Sequence, residues 1–396
     1  MNVFWYLKNN IFIIILSILS PILGIVTSLS LCSYRKNISR HHLLLFIILA
    51  FWLSAINATK VPASDQVAYA QMYFNVPDFN FFDAIKHLTY EKGYSEEAYN
   101  EPIYKAFCWI GYYLTFGNVY WYFALITFLV YMASFYSIYK MLSYKKCNIV
   151  TILSAIIICA FFYQFFNQTN HAIRQYLAGI FVMYAIVKKQ ITNKNPWLLY
   201  IISALTHKST LLFLLFLMIP NKYVNDKRFV LISSICIVLF SFFLSNVSTA
   251  LMFIGGEESY LLSKAAAESK EFSEMNKLIL YGVSIPILYV CYRGLFFSDE
   301  DSDKRMNFFY FVTIMLTLFV LACGKNTLFQ GRYFFYIYFF VPYLVPLLFK
   351  KNMTFNIIIS MFLPIHFMYN LSISIWDYAD VCELLFYPLP MLLNYQ

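Results

Sequence analysis

The chain has 396 residues, of which 61% are hydrophobic and only 12% are Asp, Glu, Lys or Arg, and its formal net charge is +9. A soluble domain carries about 25% charged residues, so this composition excludes a soluble globular protein. Apolar runs of about 18 residues or more recur along the whole length, and each can cross a bilayer as a helix. The sequence therefore predicts an all-α polytopic integral membrane protein that forms a single domain over residues 1–396.

The apolar windows predict twelve transmembrane helices. In chain order these lie near residues 10–33, 42–58, 118–140, 149–166, 172–188, 196–207, 209–220, 229–246, 277–297, 306–323, 332–349 and 354–373. The segments 196–207 and 209–220 are short and are expected to form a broken or re-entrant hairpin. Two further short apolar stretches, 103–116 and 381–394, are predicted to be interfacial or half-inserted helices. Counting 103–116 as a full span would place the basic loop 143–148 outside.

The lysines and arginines predict the orientation of these helices. Alternate loops hold 17 of them against five acids, a net charge of +12, whereas the rest of the chain has twelve cations and fifteen acids, a net charge of −3. Because cytoplasmic loops are enriched in Lys and Arg, the +12 face is predicted to be cytoplasmic. The N-terminus is then outside, with two larger external loops at about 59–117 and 247–276. The net charge thus indicates topology rather than binding to nucleic acid.

Eight cysteines are scattered through the apolar runs. Because none lies in a Cys-x-x-Cys pair or a Cys/His ligand cluster, the sequence predicts neither a disulfide nor a metal site. Any chemistry of this chain is therefore expected to be metal-independent and to need no cofactor.

Unusual polar residues are concentrated in the segments predicted to be external. They are Asp65 and Tyr69 in the first external loop, Glu101 before Pro102, His171, Arg174 and Gln175 at the start of the fifth span, His207 and Lys208 between the two short spans, and Arg332 and Tyr333 at the start of the eleventh. Each has a structural alternative. Asp65 and Glu101 are also typical of helix starts, the His207 turn of a solvated hairpin end, and Arg332 of an interfacial anchor.

Arg174 is the least readily explained by such structural roles. It is predicted to lie in the first turn of a helix, where the helix dipole disfavours a cation, and close to membrane depth. Ionisable groups at that depth usually face a cavity or a partner. Guanidinium groups bind phosphate bidentately, so the arginines, Lys208 and His171 together predict a site for an anion such as a diphosphate.

The order and placement of five short motifs resemble those of a known family. The motifs are Asp-x-x-x-Tyr (Asp65, Tyr69), Glu-Pro-x-Tyr (Glu101, Pro102, Tyr104), Arg-Gln-x-x-Ala (Arg174, Gln175, Ala178), His-Lys-Ser (His207, Lys208, Ser209) and Gly-Arg-Tyr (Gly331, Arg332, Tyr333). Across about residues 10–350 the chain resembles the EpsG-like branch of the Wzy-type polysaccharide polymerases. The Arg and Gly that precede the loop Asp in that family are absent here, where Lys60 and Ser64 occur.

The resemblance implies a glycosyltransferase that polymerises polyprenyl-diphosphate-linked oligosaccharide repeat units, such as O-antigen units, at the periplasmic face of the bacterial inner membrane. Lipid-linked substrate, the bilayer and a chain-length regulator are the partners it implies, without nucleic acid. Arg174, Arg332 and Lys208 are predicted to bind the diphosphate. Asp65 is the first candidate for the general base, followed by Glu101 or His207, and the supporting residues are Tyr69, His171, Gln175 and Tyr333.

Two other functions remain open at this point. A flippase for lipid-linked oligosaccharide would have a similar composition, but transporters typically show internal repeats and charged residues near the bilayer midplane, and neither is evident here. A ligase-type glycan transferase would differ only in its acceptor, and the sequence does not separate it from a polymerase.

Overall fold

The computed structural model describes residues 11, 15, 41–60, 65–89, 101–254, 274–297, 304–324, 327–349 and 353–374. The regular elements among them are all helices. They are α1 (His41–Ala58), α2 (Asp65–Phe74), α3 (Phe81–His87), α4 (Pro102–Leu114), α5 (Val119–Tyr144), α6 (Ile149–Phe161), α7 (Tyr163–His171), α8 (Ile173–Thr192), α9 (Trp197–Thr206), α10 (Leu212–Met218), α11 (Asn221–Val224), α12 (Lys227–Ile254), α13 (Glu274–Tyr292), α14 (Asn307–Ala322), α15 (Thr327–Leu348) and α16 (Met353–Ser372). Short 3-10 turns occupy Val76–Asp78 and Lys208–Leu211.

The prediction of a helical membrane protein is confirmed, but the count of twelve spans is not supported. Among the described residues, four helices are long and apolar enough to cross a bilayer: Val119–Tyr144, Asn276–Phe297, Gln330–Leu348 and Thr354–Ser372. The bent pair α6 and α7 is a fifth candidate. The first predicted span, 10–33, lies outside the described residues except for Ile11 and Ile15.

Helix length and charge account for part of the difference in the span count. α14 has 16 residues and a length of about 24 Å, and α9 has 10 residues and a length of about 15 Å, against a hydrocarbon core of about 30 Å. The helix α8 has 20 residues but carries Arg174, Lys188 and Lys189. The apolar windows thus predicted the positions of these helices correctly, whereas an apolar window alone does not establish a span.

The predicted hairpin and the predicted half-inserted helix both correspond to short helices. The α9 helix ends at Thr206, His207 adopts an extended conformation, and the chain continues through the 3-10 turn into α10, which has only seven residues. The α4 helix, within the predicted external segment, has 13 residues and a length of about 20 Å, too short to span. The predicted interfacial segment 381–394 lies outside the described residues.

The polar stretch after the fourth apolar run forms a helix rather than a turn. The chain bends by 50° between α6 and α7, because Phe162 has an extended conformation (φ −76°, ψ 99°) that ends α6. A second break at Ala172 separates α7 from α8. The prediction of one continuous helix over 149–166 is therefore wrong at its end, and the polar residues 167–171 belong to α7.

A network of buried amides and hydroxyls holds α7 in place. The Asn57 amide donates to the hydroxyl oxygens of Thr127 (3.0 Å) and Thr169 (2.8 Å). The Thr127 hydroxyl donates to the Asn170 side-chain oxygen, and the Asn170 amide donates to the Asn57 carbonyl, both at 3.2 Å. This network joins α1, α5 and α7, so it fixes the end of α7 from which the chain enters α8.

The helices share one hydrophobic core, which includes residues from α1 through α16. α1 packs against α5, and α8 packs against both α5 and α9, while α14 packs between α12 and α15. α4 lies against α3 and α9. As a result, the first turn of α4, the first turn of α8 and the end of α9 come together at one end of the bundle.

Candidate functional site

The carboxylate of Glu101 is the centre of the site. Its Oε2 accepts a hydrogen bond from Nη1 of Arg174 at 2.9 Å, and its Oε1 accepts one from Nδ1 of His207 at 2.5 Å. Oε1 also accepts a longer bond, 3.4 Å, from the backbone N–H of Lys208. Glu101 is only 5% exposed. Since a carboxylate can only accept, Nδ1 of His207 carries the proton in this contact.

Three separate chain segments supply this cluster. Glu101 occupies the position before Pro102 at the start of α4, and its side chain makes no capping hydrogen bond. Arg174 lies in the first turn of α8, and His207 lies between α9 and the following 3-10 turn. The carboxylate therefore ties three elements together instead of capping its own helix, which argues against the purely local interpretation of Glu101.

Electrostatics keep Glu101 ionised. Burial raises the pKa of a carboxyl group, but the hydrogen bond from His207 and the charge of Arg174 outweigh it and hold the pKa of Glu101 at about 2. An acid with so low a pKa is a weak general base near neutral pH. Glu101 is therefore suited to orienting Arg174 and His207 rather than to accepting a proton.

Arg174 also lies against an aromatic ring. Its guanidinium carbon is 5.6 Å from the centroid of Tyr69, within the range of a cation–π contact. Tyr69 is buried and packs edge-to-face on Tyr104 at 5.9 Å. The arginine that the helix dipole disfavours is thus held by a carboxylate and by a ring, and its orientation is fixed.

A cavity of about 130 Å³ opens beside this cluster. Its lining residues are Asp65, Ala68, Tyr69, Met72, Leu88, Thr89, Glu101, Tyr104, Lys105, Arg174 and Arg332. Pockets that enclose a drug-sized ligand have volumes of about 300–1,000 Å³, so this cavity suits a small group rather than an oligosaccharide. Among its described lining residues, three are cations and two are acids.

Asp65 and Arg332 line the same cavity, although they lie far apart in the sequence. Asp65 is the first residue of α2 and is exposed. Arg332 belongs to α15, and its backbone carbonyl accepts a hydrogen bond from the side-chain amide of Gln175. Since Gln175 follows Arg174 in α8, this bond fixes α15 next to α8. The two arginines singled out in the sequence therefore line one cavity.

His171 has a different neighbour from the one expected. It was predicted to support Arg174 from the same helix face, but it is the last residue of α7, and Ala172 interrupts the helix between the two. Its Nε2 contacts Nζ of Lys60, which follows α1. Lys60 is only 1% exposed, and burial lowers its pKa to about 7. In the sequence, Lys60 is notable only because it occurs before Asp65, where the EpsG-like family has an arginine.

Two other predicted residues lie beside the cavity rather than in its lining. Lys208 is exposed and touches Glu101 through its backbone N–H, and Tyr333 packs edge-to-face on Phe319 at 5.0 Å. Lys105, which the sequence reasoning missed, is in the lining. Its position in an apolar segment that was predicted to be interfacial gave no sign of this.

Within the described ranges, no three His, Cys, Asp or Glu side chains are grouped as metal ligands would be, and metal-independent chemistry stays a prediction.

Comparison with known proteins gives one match. The model of the EpsG family matches residues 43–389, which is most of the chain and includes every residue of the site. No significant match is found among curated proteins or among solved structures. The family resemblance expected from the five motifs is confirmed by this match.

Proposed function

The chain belongs to the EpsG family, and we propose that it is a membrane glycosyltransferase that polymerises polyprenyl-diphosphate-linked oligosaccharide repeat units. The reaction takes place at the outer face of the bacterial cytoplasmic membrane. The observation that carries this proposal is that Arg174, Arg332 and Asp65 line one cavity. A small cavity with two guanidinium groups suits a diphosphate, and a carboxylate beside it suits the abstraction of a proton.

The proposed reaction needs three roles from the protein. The hydroxyl oxygen of the acceptor sugar attacks C1 of the donor sugar, and the bond from C1 to the phosphate oxygen breaks. The polyprenyl diphosphate leaves with the bonding electrons, and Arg174 and Arg332 stabilise its charge. The acceptor proton passes to a base. Glu101 holds Arg174 and His207 in place throughout.

Asp65 is the preferred base because it lines the cavity. His207 remains the alternative, since its Nδ1 donates to Glu101 in the way that an orienting acid fixes a catalytic histidine. Glu101, the third residue considered, is assigned to positioning because of its low pKa. Lys208 keeps a proposed assisting role at the rim, from its exposed position next to Glu101.

The first test is complementation of a strain that lacks the polymerase. Arg332→Met and Asp65→Asn should give only single repeat units in place of a glycan ladder, at normal protein levels. Arg228→Met is the matched control, because Arg228 is exposed at the start of α12 and does not line the cavity. It should give a full ladder. Full ladders from both site variants would contradict the proposal.

The same strain separates the other two functions. Loss of a flippase leaves lipid-linked units on the cytoplasmic side, whereas loss of a polymerase leaves them outside. A ligase mutant loses all attached glycan, whereas a polymerase mutant retains one repeat unit. The gathering of arginines and acids at one end of the bundle favours a transferase over a transporter, whose charged groups lie near the midplane.

A further inference from the structure

Tyr336 joins α15 to the turn that follows His207. Its hydroxyl forms a 2.6 Å hydrogen bond with the hydroxyl of Ser209, which lies in the 3-10 turn two residues after His207. Tyr336 is 1% exposed, and Ser209 is half-buried. A buried hydroxyl is costly without a hydrogen-bond partner, so this bond favours one placement of the turn against α15.

The ring of Tyr336 is held separately from its hydroxyl. The ring packs edge-to-face on Phe213 of α10 at 5.1 Å, and its centroid lies 6.2 Å from that of Tyr333. Tyr336→Phe keeps the ring that makes both contacts and removes the hydrogen bond to Ser209. The role of the hydroxyl is therefore open to test without a large change in packing.

Two hydrogen bonds from different segments hold this part of α15. The side-chain amide of Gln175 in α8 donates to the backbone carbonyl of Arg332, and Ser209 bonds to Tyr336 about one turn further along. Because Arg332 and Tyr336 are four residues apart in a helix, they lie on the same face. Bonds to two segments restrict the rotation of α15 more than either bond alone, and so restrict the direction in which Arg332 leaves the helix.

The two segments at the other ends of these bonds are joined through Glu101. Its carboxylate accepts hydrogen bonds from Arg174 in α8 and from His207 before the turn. The hydrogen bonds thus form a closed ring through Glu101, α8, α15 and the turn. The two arginines that line the cavity, Arg174 and Arg332, both lie on this ring.

We propose that Tyr336 is a positioning residue, which acts through Ser209 to fix Arg332 relative to Arg174 so that both bind one diphosphate. This assignment rests on the proposed function for the identity of the ligand. A guanidinium group binds phosphate oxygens through a planar fork of donors, so its orientation decides whether it shares one diphosphate with a second arginine. Tyr336 is outside the described lining of the cavity and acts without touching the ligand.

Calorimetric binding of inorganic diphosphate to the purified full-length protein in detergent tests this assignment. Tyr336→Phe and Ser209→Ala should each bind about fivefold more weakly than the wild type, a factor that corresponds to the loss of one neutral hydrogen bond. The double variant should also bind about fivefold more weakly, because both changes break the same bond. Tyr176→Phe is the matched control, since the hydroxyl of Tyr176 is buried in α8 without a hydrogen-bond partner, and it should bind as the wild type does.

A second measurement separates positioning from a purely structural role. When Arg332→Met is already present, Tyr336→Phe should leave the remaining diphosphate affinity unchanged, because the group that it positions is gone. A purely structural role would weaken binding by the same factor with and without Arg332. That result overturns the inference, as does wild-type affinity in a folded, monodisperse Tyr336→Phe or Ser209→Ala protein.

The outcomes also distinguish this inference from the proposed function. If diphosphate affinity depends on Tyr336 while Arg332→Met still gives full glycan ladders, the positioning role stands and the polymerase function fails. If ladders depend on Arg332 while Tyr336→Phe and Ser209→Ala bind diphosphate as the wild type does, only the role of Tyr336 fails. A wild type that binds no diphosphate overturns the inference.

Discussion

At the scale of a single residue, the buried carboxylate of Glu101 joins the start of α4 to Arg174 in α8 and to His207 after α9. The pair Glu101-Pro102 is a common helix start, and from the sequence the acid was equally a cap or a base. The contacts with Arg174 and His207 come from residues 73 and 106 positions away. No local pattern encodes such distances, so the sequence could not predict that Glu101 contacts both Arg174 and His207.

The pKa of Glu101 gives a prediction about pH. The pKa of the Glu101 carboxyl is about 2 in the folded protein, compared with 4.5 for a glutamate without these neighbours. The ionised form is therefore favoured by folding, and this stabilisation is complete above about pH 5 and is lost as the pH falls through 4.5 to about 2. Glu101→Gln removes it. The wild type should be more stable than Glu101→Gln at pH 7 by on the order of 3 kcal/mol, a difference that shrinks toward pH 2.

Thermal unfolding in detergent between pH 7 and pH 3 measures this difference. The curves of the two proteins should converge as the pH falls, because only the wild type binds a proton at this position on unfolding. A gap that stays constant over the whole range would show that the ion pair with Arg174 does not set the stability of the site.

At the scale of elements, the break between α6 and α7 decides where the site residues stand. The apolar run continues through Phe162 to Phe166, so hydropathy predicts no break there. The break is instead tied to the hydrogen bonds that Asn57, Thr127, Thr169 and Asn170 make across three helices. In the sequence, the polar residues 167–171 are typical of a turn, because the residues that bury them are distant along the chain.

The packing of α8 against α15 yields a prediction at Gly179. A Cβ at this position would lie 2.7 Å from two ring atoms of Phe339. Phe339 cannot move aside easily, since it is 4% exposed and packs on Phe165 and Tyr176 at 5.0 and 4.9 Å. Gly179→Ala should therefore destabilise the protein by about 1–3 kcal/mol, and also weaken the contact of Gln175 with α15.

Gly282 in α13 provides the control for that substitution. A Cβ there meets nothing within 4 Å, so Gly282→Ala should be neutral or stabilise the protein by up to about 1 kcal/mol through helix propensity. Thermal unfolding of both variants, with Phe339→Leu added to Gly179→Ala as a rescue, checks the account. Equal effects of the two alanines would mean that close approach of α8 and α15 is not required.

At the scale of the whole molecule, two hydrogen bonds are consistent with the two membrane faces predicted from the distribution of Lys and Arg. Arg305 donates to the carbonyl of Tyr144 at 3.2 Å, and Asn307 donates to Asn225 at 2.8 Å. These residues lie in or next to loops predicted to be on the basic face. Glu101, Arg174 and His207, all predicted on the other face, contact one another instead. Which face is cytoplasmic stays a prediction.

The positions of the helices and the family were thus accessible from the sequence, and the span count was not. Hydropathy detects an apolar segment equally well whether it crosses a bilayer or packs in a protein core, as the 16 residues of α14 illustrate. Lys105 was missed for a related reason, since an isolated lysine in an apolar helix gives no sign of a cavity. Its place in the lining depends on which helices meet.

The most direct test of the central claim is polymerisation by the purified protein in lipid vesicles supplied with polyprenyl-diphosphate-linked repeat units. The wild type should convert them into a ladder of longer glycans and release polyprenyl diphosphate in equal number to the new linkages. Arg332→Met, folded and inserted, should lower the rate at least about a hundredfold, as expected when a donor to the developing charge is removed. A wild type that forms no polymer from its own strain's repeat units, or an Arg332→Met variant that polymerises at the wild-type rate, would contradict the account.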